Sequence, residues 1–102
     1  MIDKLIKFAK ANHKGFANVP DDFLRRMFET YRKTTIVNLV NDEIAGFGIY
    51  QEWPDVLNFI CMVGNTEKDP FKNIIALMDA RRFLPNKKIV FFDEDKMELR
   101  WL

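Results

Sequence analysis

The sequence predicts a single α+β domain: two N-terminal helices, then an antiparallel sheet of about five strands with one further helix packed on it. Apolar residues recur at helical spacing through the first third of the chain, and from Thr34 onward β-branched residues and a period of two take over. One later segment returns to helical character between strand-like segments, which is typical of α+β domains. A length of 102 residues fits one domain covering residues 1–102.

Both N-terminal helices are predicted to be amphipathic. The first has apolar residues at positions i, i+3, i+4 and i+7 from Ile2, with lysines between them, and ends near His13. The second repeats that spacing from Leu24, and Asp21, which follows Pro20, is a suitable N-cap. Basic side chains occupy the other side of each helix. We therefore expect the apolar stripes to face the core.

The clearest β feature is a hairpin. Residues 35–40 form its first strand, Asn41 and Asp42 form the turn, and a second strand returns. Gly46 and Gly48 fall on one side of the returning strand. Missing side chains at such positions indicate a bulge or the close approach of another backbone or a ligand.

The second half of the chain is predicted to complete the sheet. Residues 56–63 are apolar on both faces, as expected of a central strand that is covered on both sides. Asp69 is the N-cap of a helix whose first residue is Pro70, and this helix should cover the sheet. Residues 88–92 and 97–101 follow as two strands joined by an acidic turn.

Basic residues concentrate in the N-terminal third. Residues 1–33 contain eight Lys and Arg against four acidic residues, whereas the remainder contains eight against eleven. This asymmetry can orient a partner electrostatically, but a net charge of +1 does not favour nucleic acid as that partner. Arg25 and Arg32 on the basic side, and Trp53 in a polar loop, are therefore the candidate interaction residues for another protein.

Several other classes of protein are disfavoured. The charged N-terminus and the lack of about 20 consecutive apolar residues argue against a signal peptide and a membrane span. The single cysteine, Cys61, cannot form an internal disulfide, so we expect a reducing, cytoplasmic location. A single histidine, His13, and a single cysteine cannot together make a conventional zinc site. The sequence contains no H-E-x-x-H motif and no P-loop motif. We assign no catalytic and no metal-binding residue.

The hairpin resembles that of the GCN5-related N-acetyltransferase (GNAT) family. Its sequence N-D-E-I-A-G-F-G-I-Y at residues 41–50 is similar to the family's n-g-e-i-v-G-f, and the apolar strand at 57–63 and the helix after it also fit. The resemblance implies an acetyl-coenzyme A site at the end of that strand, with the pyrophosphate on N–H groups of the next helix N-terminus. The positions that would hold the coenzyme here are Met62, Val63, Gly64, Lys68 and Lys72.

The loop after the apolar strand departs from the family pattern. The family has Q/R-x-x-G-x-G/A there, whereas this chain has one glycine, Gly64, at the strand end. Glu67 and Asp69 place negative charge where the pyrophosphate would lie, and Pro70 lacks an N–H donor. We therefore expect no cofactor and no catalysis.

These observations favour a small, non-catalytic GNAT-like protein that acts as an interaction or structural component. The expected partner is another protein, a second copy or a component of a virion, because the resemblance extends to shortened GNAT-like proteins of bacteriophages. The resemblance also leads us to expect that the family's first strand and much of its C-terminal portion have no counterpart among these residues. Two alternatives stay open: an N-acetyltransferase with a divergent acetyl-CoA loop that acetylates an amine, and a nucleic-acid accessory protein acting through the basic helices.

Overall fold

The computed structural model describes residues 1–64, 88–93 and 98–101. Two helices precede the strands, and short 3-10 turns follow each helix. The elements are α1 (Ile2–Asn12), α2 (Asp21–Thr30), β1 (Thr35–Val40), β2 (Glu43–Glu52), β3 (Val56–Gly64), β4 (Lys88–Asp93) and β5 (Glu98–Trp101). The predicted α+β class, the two helices and the antiparallel arrangement of the first three strands are confirmed. None of the helices in this described part of the chain is long and apolar enough to cross a membrane.

The start of α2 differs by one residue from the prediction. Pro20 occupies the N-cap, and no side chain caps the helix there. Asp21 and Asp22 instead lie in the first turn, where their carboxylates complement the positive end of the helix dipole. Asp21 therefore acts through its charge and not as the N-cap.

The predicted hairpin of β1 and β2 is confirmed, and the backbone of its turn shows why these residues form a hairpin. Asn41 and Asp42 have φ angles of 52° and 64°, and Val40 pairs with Glu43 on either side of them. Two consecutive residues in the left-handed region make the turn that best matches the twist of a two-residue hairpin. Asn and Asp adopt this region more readily than most residues, so the sequence fixes the turn locally.

The described strands form one sheet in the order β1-β2-β3-β4-β5. β1, β2 and β3 are antiparallel neighbours, as are β4 and β5, but β3 and β4 are parallel. The expectation of a wholly antiparallel sheet is therefore wrong at this one pair. Parallel neighbours need a long crossover connection, and residues 65–87 are long enough to provide one. The helix predicted to start at Pro70 lies outside the described residues.

The sheet carries apolar side chains on both faces. One cluster packs against the helices, and its buried members are Leu5, Ile6, Ala9, Leu24, Phe28, Phe47, Ile49 and Val63. A second cluster has Leu57 and Phe59 buried, with Ile36, Tyr50 and Met62 packed against them. Neighbouring strand residues such as Met62 and Val63 belong to different clusters, as the alternation of side chains across a sheet requires. We call these the helix face and the far face.

Two ion pairs join the outer surfaces of α1 and α2. Lys10 Nζ lies 2.6 Å from Asp21 Oδ1, and the Arg25 guanidinium donates a hydrogen bond to Asp3 Oδ1. These side chains are partly or largely exposed, so each pair contributes little to stability and is screened by salt. They connect residues near the two ends of α1 with the first half of α2.

The Asp3 pair makes a prediction about pH. The hydrogen bond and the charge of Arg25 hold the pKa of the Asp3 carboxyl below its ordinary value. The unfolded chain lacks this partner, so the small stabilisation is present above the unfolded pKa and is lost as pH falls through the folded pKa. We expect Arg25→Gln to raise the titration midpoint of Asp3 in an NMR titration of the side-chain carboxyl carbons. Arg26→Gln, an exposed change on the same helix, is the control and should leave the midpoint where it is. An unchanged midpoint in Arg25→Gln would mean that the pair does not form in solution.

Candidate functional site

The two edges of β3 are paired to different extents. Towards β2, the ladder runs from Leu57 to Gly64. Towards β4, it runs only from Val56 to Phe59, which pairs with Phe91. β3 continues through residues 60–64, and no described strand pairs with that side of them. The two parallel strands therefore separate after Phe59, and we call the opening beside residues 60–64 the splay.

A bulge in β3 lies at the start of the splay. Cys61 pairs with Ile49 and Phe59 pairs with Tyr50, so Ile60 has no opposite residue on β2. A bulge bends its strand and ends regular pairing, and such bulges are common beside functional sites. The parallel ladder stops at the residue before Ile60, so the bulge coincides with the point where the two strands separate. The Ile60 side chain is 42% exposed.

The splay offers main-chain groups to a ligand. In an extended strand, the N–H and C=O groups of alternate residues point to the same edge. In this stretch, the main chain of Ile60, Met62 and Gly64 has no described strand as a partner towards the opening, and the apolar side chains of Ile60 and Met62 lie beside it. Such an edge binds a second extended chain that carries complementary amide groups.

The structure places three of the predicted coenzyme residues in the splay. Met62 is half-buried in the far-face cluster, Val63 is buried in the helix-face cluster, and Gly64 ends the strand. Because the Val63 side chain belongs to the core, Val63 can serve a ligand only through its main chain. Lys68 and Lys72 lie outside the described residues.

The predicted interaction residues lie elsewhere. Trp53 is 48% exposed in the turn between β2 and β3. Its main-chain N–H donates a hydrogen bond to the carbonyl of Val56, with the nitrogen and oxygen 2.8 Å apart. Arg32 is exposed in the 3-10 turn before β1 and therefore lies at the same end of the sheet as Trp53, because Thr35 pairs with Ile49. Arg25 is held by Asp3 on the outer surface of the helices.

Two features of the sheet were missed by sequence reasoning. The first is the bulge at Ile60, which a continuously apolar segment does not reveal because every register looks alike. The second is Asn38 on β1, which is 8% exposed and whose Nδ2 has no hydrogen-bond partner among the described residues. Asn38 pairs with Gly46, which pairs in turn with Gly64. The unsatisfied amide therefore lies in the same row of the sheet as the end of the splay.

Comparison with known proteins supports the fold. No protein-family model matches the sequence, and no curated protein matches it in sequence. Among solved structures, the chain is similar to the crystal structure of aminoglycoside 6'-acetyltransferase type Ii, with a TM-score of 0.62 and 11% identity. The similarity covers 87% of this chain and 61% of that chain, so this chain spans about three fifths of the enzyme's length. At this identity the likeness concerns the fold alone, and the fold is GNAT-like.

Proposed function

We propose that this protein is a GNAT-like binding protein without transferase activity, which holds an extended segment of a partner protein in the splay. The observation that carries the proposal is the edge of β3 beside Ile60, Met62 and Gly64, which starts at a bulge and pairs with no described strand. A peptide added at this edge would complete the hydrogen bonds of β3 and extend the pairing that β4 provides only as far as Phe59. Its apolar side chains would contact Ile60 and Met62.

The chemistry of the site favours a polypeptide over a phosphorylated ligand. Residues 60–64 carry no charge, so they recognise main-chain amides and apolar side chains. Glu67 and Asp69 follow directly in the sequence and would repel a pyrophosphate, and Pro70 has no N–H to donate. We also propose a helix in the crossover between β3 and β4, because parallel neighbours are usually connected by one.

A second candidate is an acetyl-CoA-dependent N-acetyltransferase that acts on an amine. Its basis is the fold, which is similar to that of an aminoglycoside acetyltransferase at 11% identity. The pantetheine arm of the coenzyme also contains two amide groups in an extended chain, which are able to pair with a strand edge. In this case the main chain of Met62, Val63 and Gly64 would hold the arm, and Lys68 and Lys72 would meet the phosphates. The acidic loop makes this the weaker proposal.

One binding experiment separates the two candidates. Peptides of about 12 residues are selected from a displayed random library, and their affinity is measured by isothermal titration alongside acetyl-CoA. We expect apolar peptides to bind, to protect amides among residues 60–64 from hydrogen exchange, and to bind at least about tenfold more weakly to Ile60→Arg, because the charged side chain would enter the apolar opening. The control is Phe23→Arg, which makes the same kind of change at a side chain that is 63% exposed on α2.

Each outcome has a consequence for the proposal. Peptides that bind Ile60→Arg as tightly as the unchanged protein would overturn binding in the splay. Micromolar binding of acetyl-CoA with perturbed amides at residues 60–64, together with acetylation of an amine, would establish the second candidate instead. No heat with acetyl-CoA up to millimolar concentration, together with peptide binding that Ile60→Arg weakens, supports the first.

A further inference from the structure

The outer edge of β1 has no strand partner in the part of the chain that the structure describes. β1 is the outermost strand at one side of the sheet among the described strands, so alternate N–H and C=O groups of residues 35–40 have no strand partner on that side. Leu39 and Val40 are 47% and 50% exposed. A depression whose lining includes Met1, Arg32 and Val37 lies on the helix side of this strand.

β1 carries none of the residues that usually protect an edge. Natural sheets prevent edge-to-edge pairing with charged residues, especially lysine, or with proline on the edge strand. The sequence of β1 is T-I-V-N-L-V, which contains neither a charge nor a proline. Its residues are mostly β-branched or apolar and favour the extended conformation. Such a strand is suited to pairing with another strand.

The charges that flank β1 indicate which strand would pair with it. Arg32 and Lys33 precede it and are exposed, and Asp42 and Glu43 follow it and are exposed. In an antiparallel pair of two copies of β1, the basic start of each copy lies beside the acidic end of the other. A two-fold axis perpendicular to the sheet relates the two copies. The contact between a basic start and an acidic end therefore occurs twice, once at each end of the strand pair.

We propose that the protein forms a symmetric dimer in which β1 pairs antiparallel with β1 of a second copy, giving a continuous sheet across the two subunits. The two-fold axis keeps the helix faces of both copies on the same side of that sheet. Lys33 of one copy then faces the hairpin turn of the other, where the exposed acidic residues are Asp42 in the turn and Glu43 at the start of β2, and this arrangement occurs twice. This surface is separate from the splay, so the proposal does not depend on the ligand bound there.

The test exchanges charges at the two ends of β1. Sedimentation velocity and light scattering over about 1–500 µM measure the dissociation constant of the purified full chain. Each single reversal, Lys33→Glu or Glu43→Lys, places like charges together at both contacts, and we expect it to weaken the dimer by about tenfold or more. Glu43 is chosen over Asp42 because Asp42 has a positive φ that lysine would strain.

The decisive measurement mixes the two single variants. Lys33→Glu has acidic residues at both ends of β1 and Glu43→Lys has basic residues at both ends, so the mixture should form a heterodimer about as tight as the original dimer. The double variant Lys33→Glu/Glu43→Lys should again form a dimer with itself. Lys14→Glu and Glu29→Lys reverse exposed charges away from β1 and are the matched controls, with no effect expected.

Two results would overturn the proposal. One is an unchanged protein that stays monomeric over the whole concentration range, because the open edge then does not pair. The other is a dimer whose dissociation constant is the same in both single variants and in the controls, because a different surface then forms it. Circular dichroism of every variant checks that the reversals leave the fold intact.

Discussion

Replacing Phe47 by alanine is expected to destabilise the protein by about 3–5 kcal/mol. Phe47 is fully buried in the middle of β2 and belongs to the helix-face cluster. Its ring meets Phe28 edge-on, with centroids 5.3 Å apart at 70°, and meets Phe8 at 6.1 Å and 68°. Phe47 thus packs both helices against the sheet. Its truncation leaves a cavity that could close only if α1, α2 and β2 all moved. Since small domains are stable by about 5–15 kcal/mol, a large part of the total would be lost.

Urea denaturation followed by circular dichroism measures this effect. With a slope of about 2 kcal/mol per molar urea, the midpoint should fall by about 2 M. Phe23→Ala is the matched control, because Phe23 is 63% exposed on α2, and its substitution should change stability by less than about 0.5 kcal/mol. Equal effects of the two substitutions would show that the helices do not pack on β2 through Phe47.

The parts of the fold that the sequence predicts are those determined by nearby residues. The apolar spacing that starts at Leu24 defines one side of α2, and that side packs in the helix-face cluster. The pair Asn41 and Asp42 defines the turn by its tolerance of positive φ. Each of these signals lies within a few residues of the feature it predicts, so the two helices and the hairpin follow without knowledge of the rest of the chain.

The parallel pairing of β3 with β4 and the splay depend on residues far apart in the sequence. Val56 of β3 pairs with Lys88 of β4. The residues of the two strands do not themselves indicate whether β4 runs parallel or antiparallel to β3. The bulge at Ile60 is equally hidden, because it occurs in a segment whose residues are nearly all apolar. The resemblance to the GNAT family led to Met62, Val63 and Gly64, whereas residue patterns alone gave only a buried strand there. The family therefore indicated the place of the candidate site, and the register of the sheet supplied its shape.

The glycines of β2 have two different structural explanations. Gly46 adjoins a register shift, because Asn38 pairs with Gly46 and Leu39 with Ile44, which leaves Ala45 without an opposite residue. Gly48 has no bulge of its own on β1, where Ile36 pairs with it directly. A side chain is excluded at Gly48 by the ring of Phe59 on the far face. Of the two reasons predicted for glycine in this strand, a bulge thus applies beside Gly46, whereas the close neighbour at Gly48 is a side-chain ring and not the predicted backbone or ligand.

Substituting Gly48 by alanine is expected to destabilise the protein by about 1–3 kcal/mol, as overpacking of a core usually does. A Cβ atom at Gly48 would lie 2.8 Å from Cε1 and 3.0 Å from Cδ1 of Phe59. The Phe59 ring is 2% exposed and packs against Tyr50 with centroids 5.7 Å apart, so it has little room to move aside. The lower entropy of alanine in the unfolded chain offsets only about 0.4–1 kcal/mol of this cost.

A double-mutant cycle tests whether the Phe59 ring is the cause. Phe59→Leu removes the atoms that the new methyl group would meet, so Gly48→Ala should cost less in that background, with a coupling of about 0.5–3 kcal/mol.

Gly15→Ala provides a control with a similar nominal distance, since its Cβ would lie 2.9 Å from Cε1 of His13. There Gly15 is exposed, and a shift of the imidazole would cost only the exposed hydrogen bond that its Nδ1 accepts from Gly15 N–H and part of its contact with Phe16, so we expect a smaller effect. A clash destabilises only when the surroundings prevent the neighbour from moving. If Gly48→Ala proved as harmless as Gly15→Ala, the far face near Phe59 would be loosely packed and open to a ligand, which would extend the splay across that face of β3.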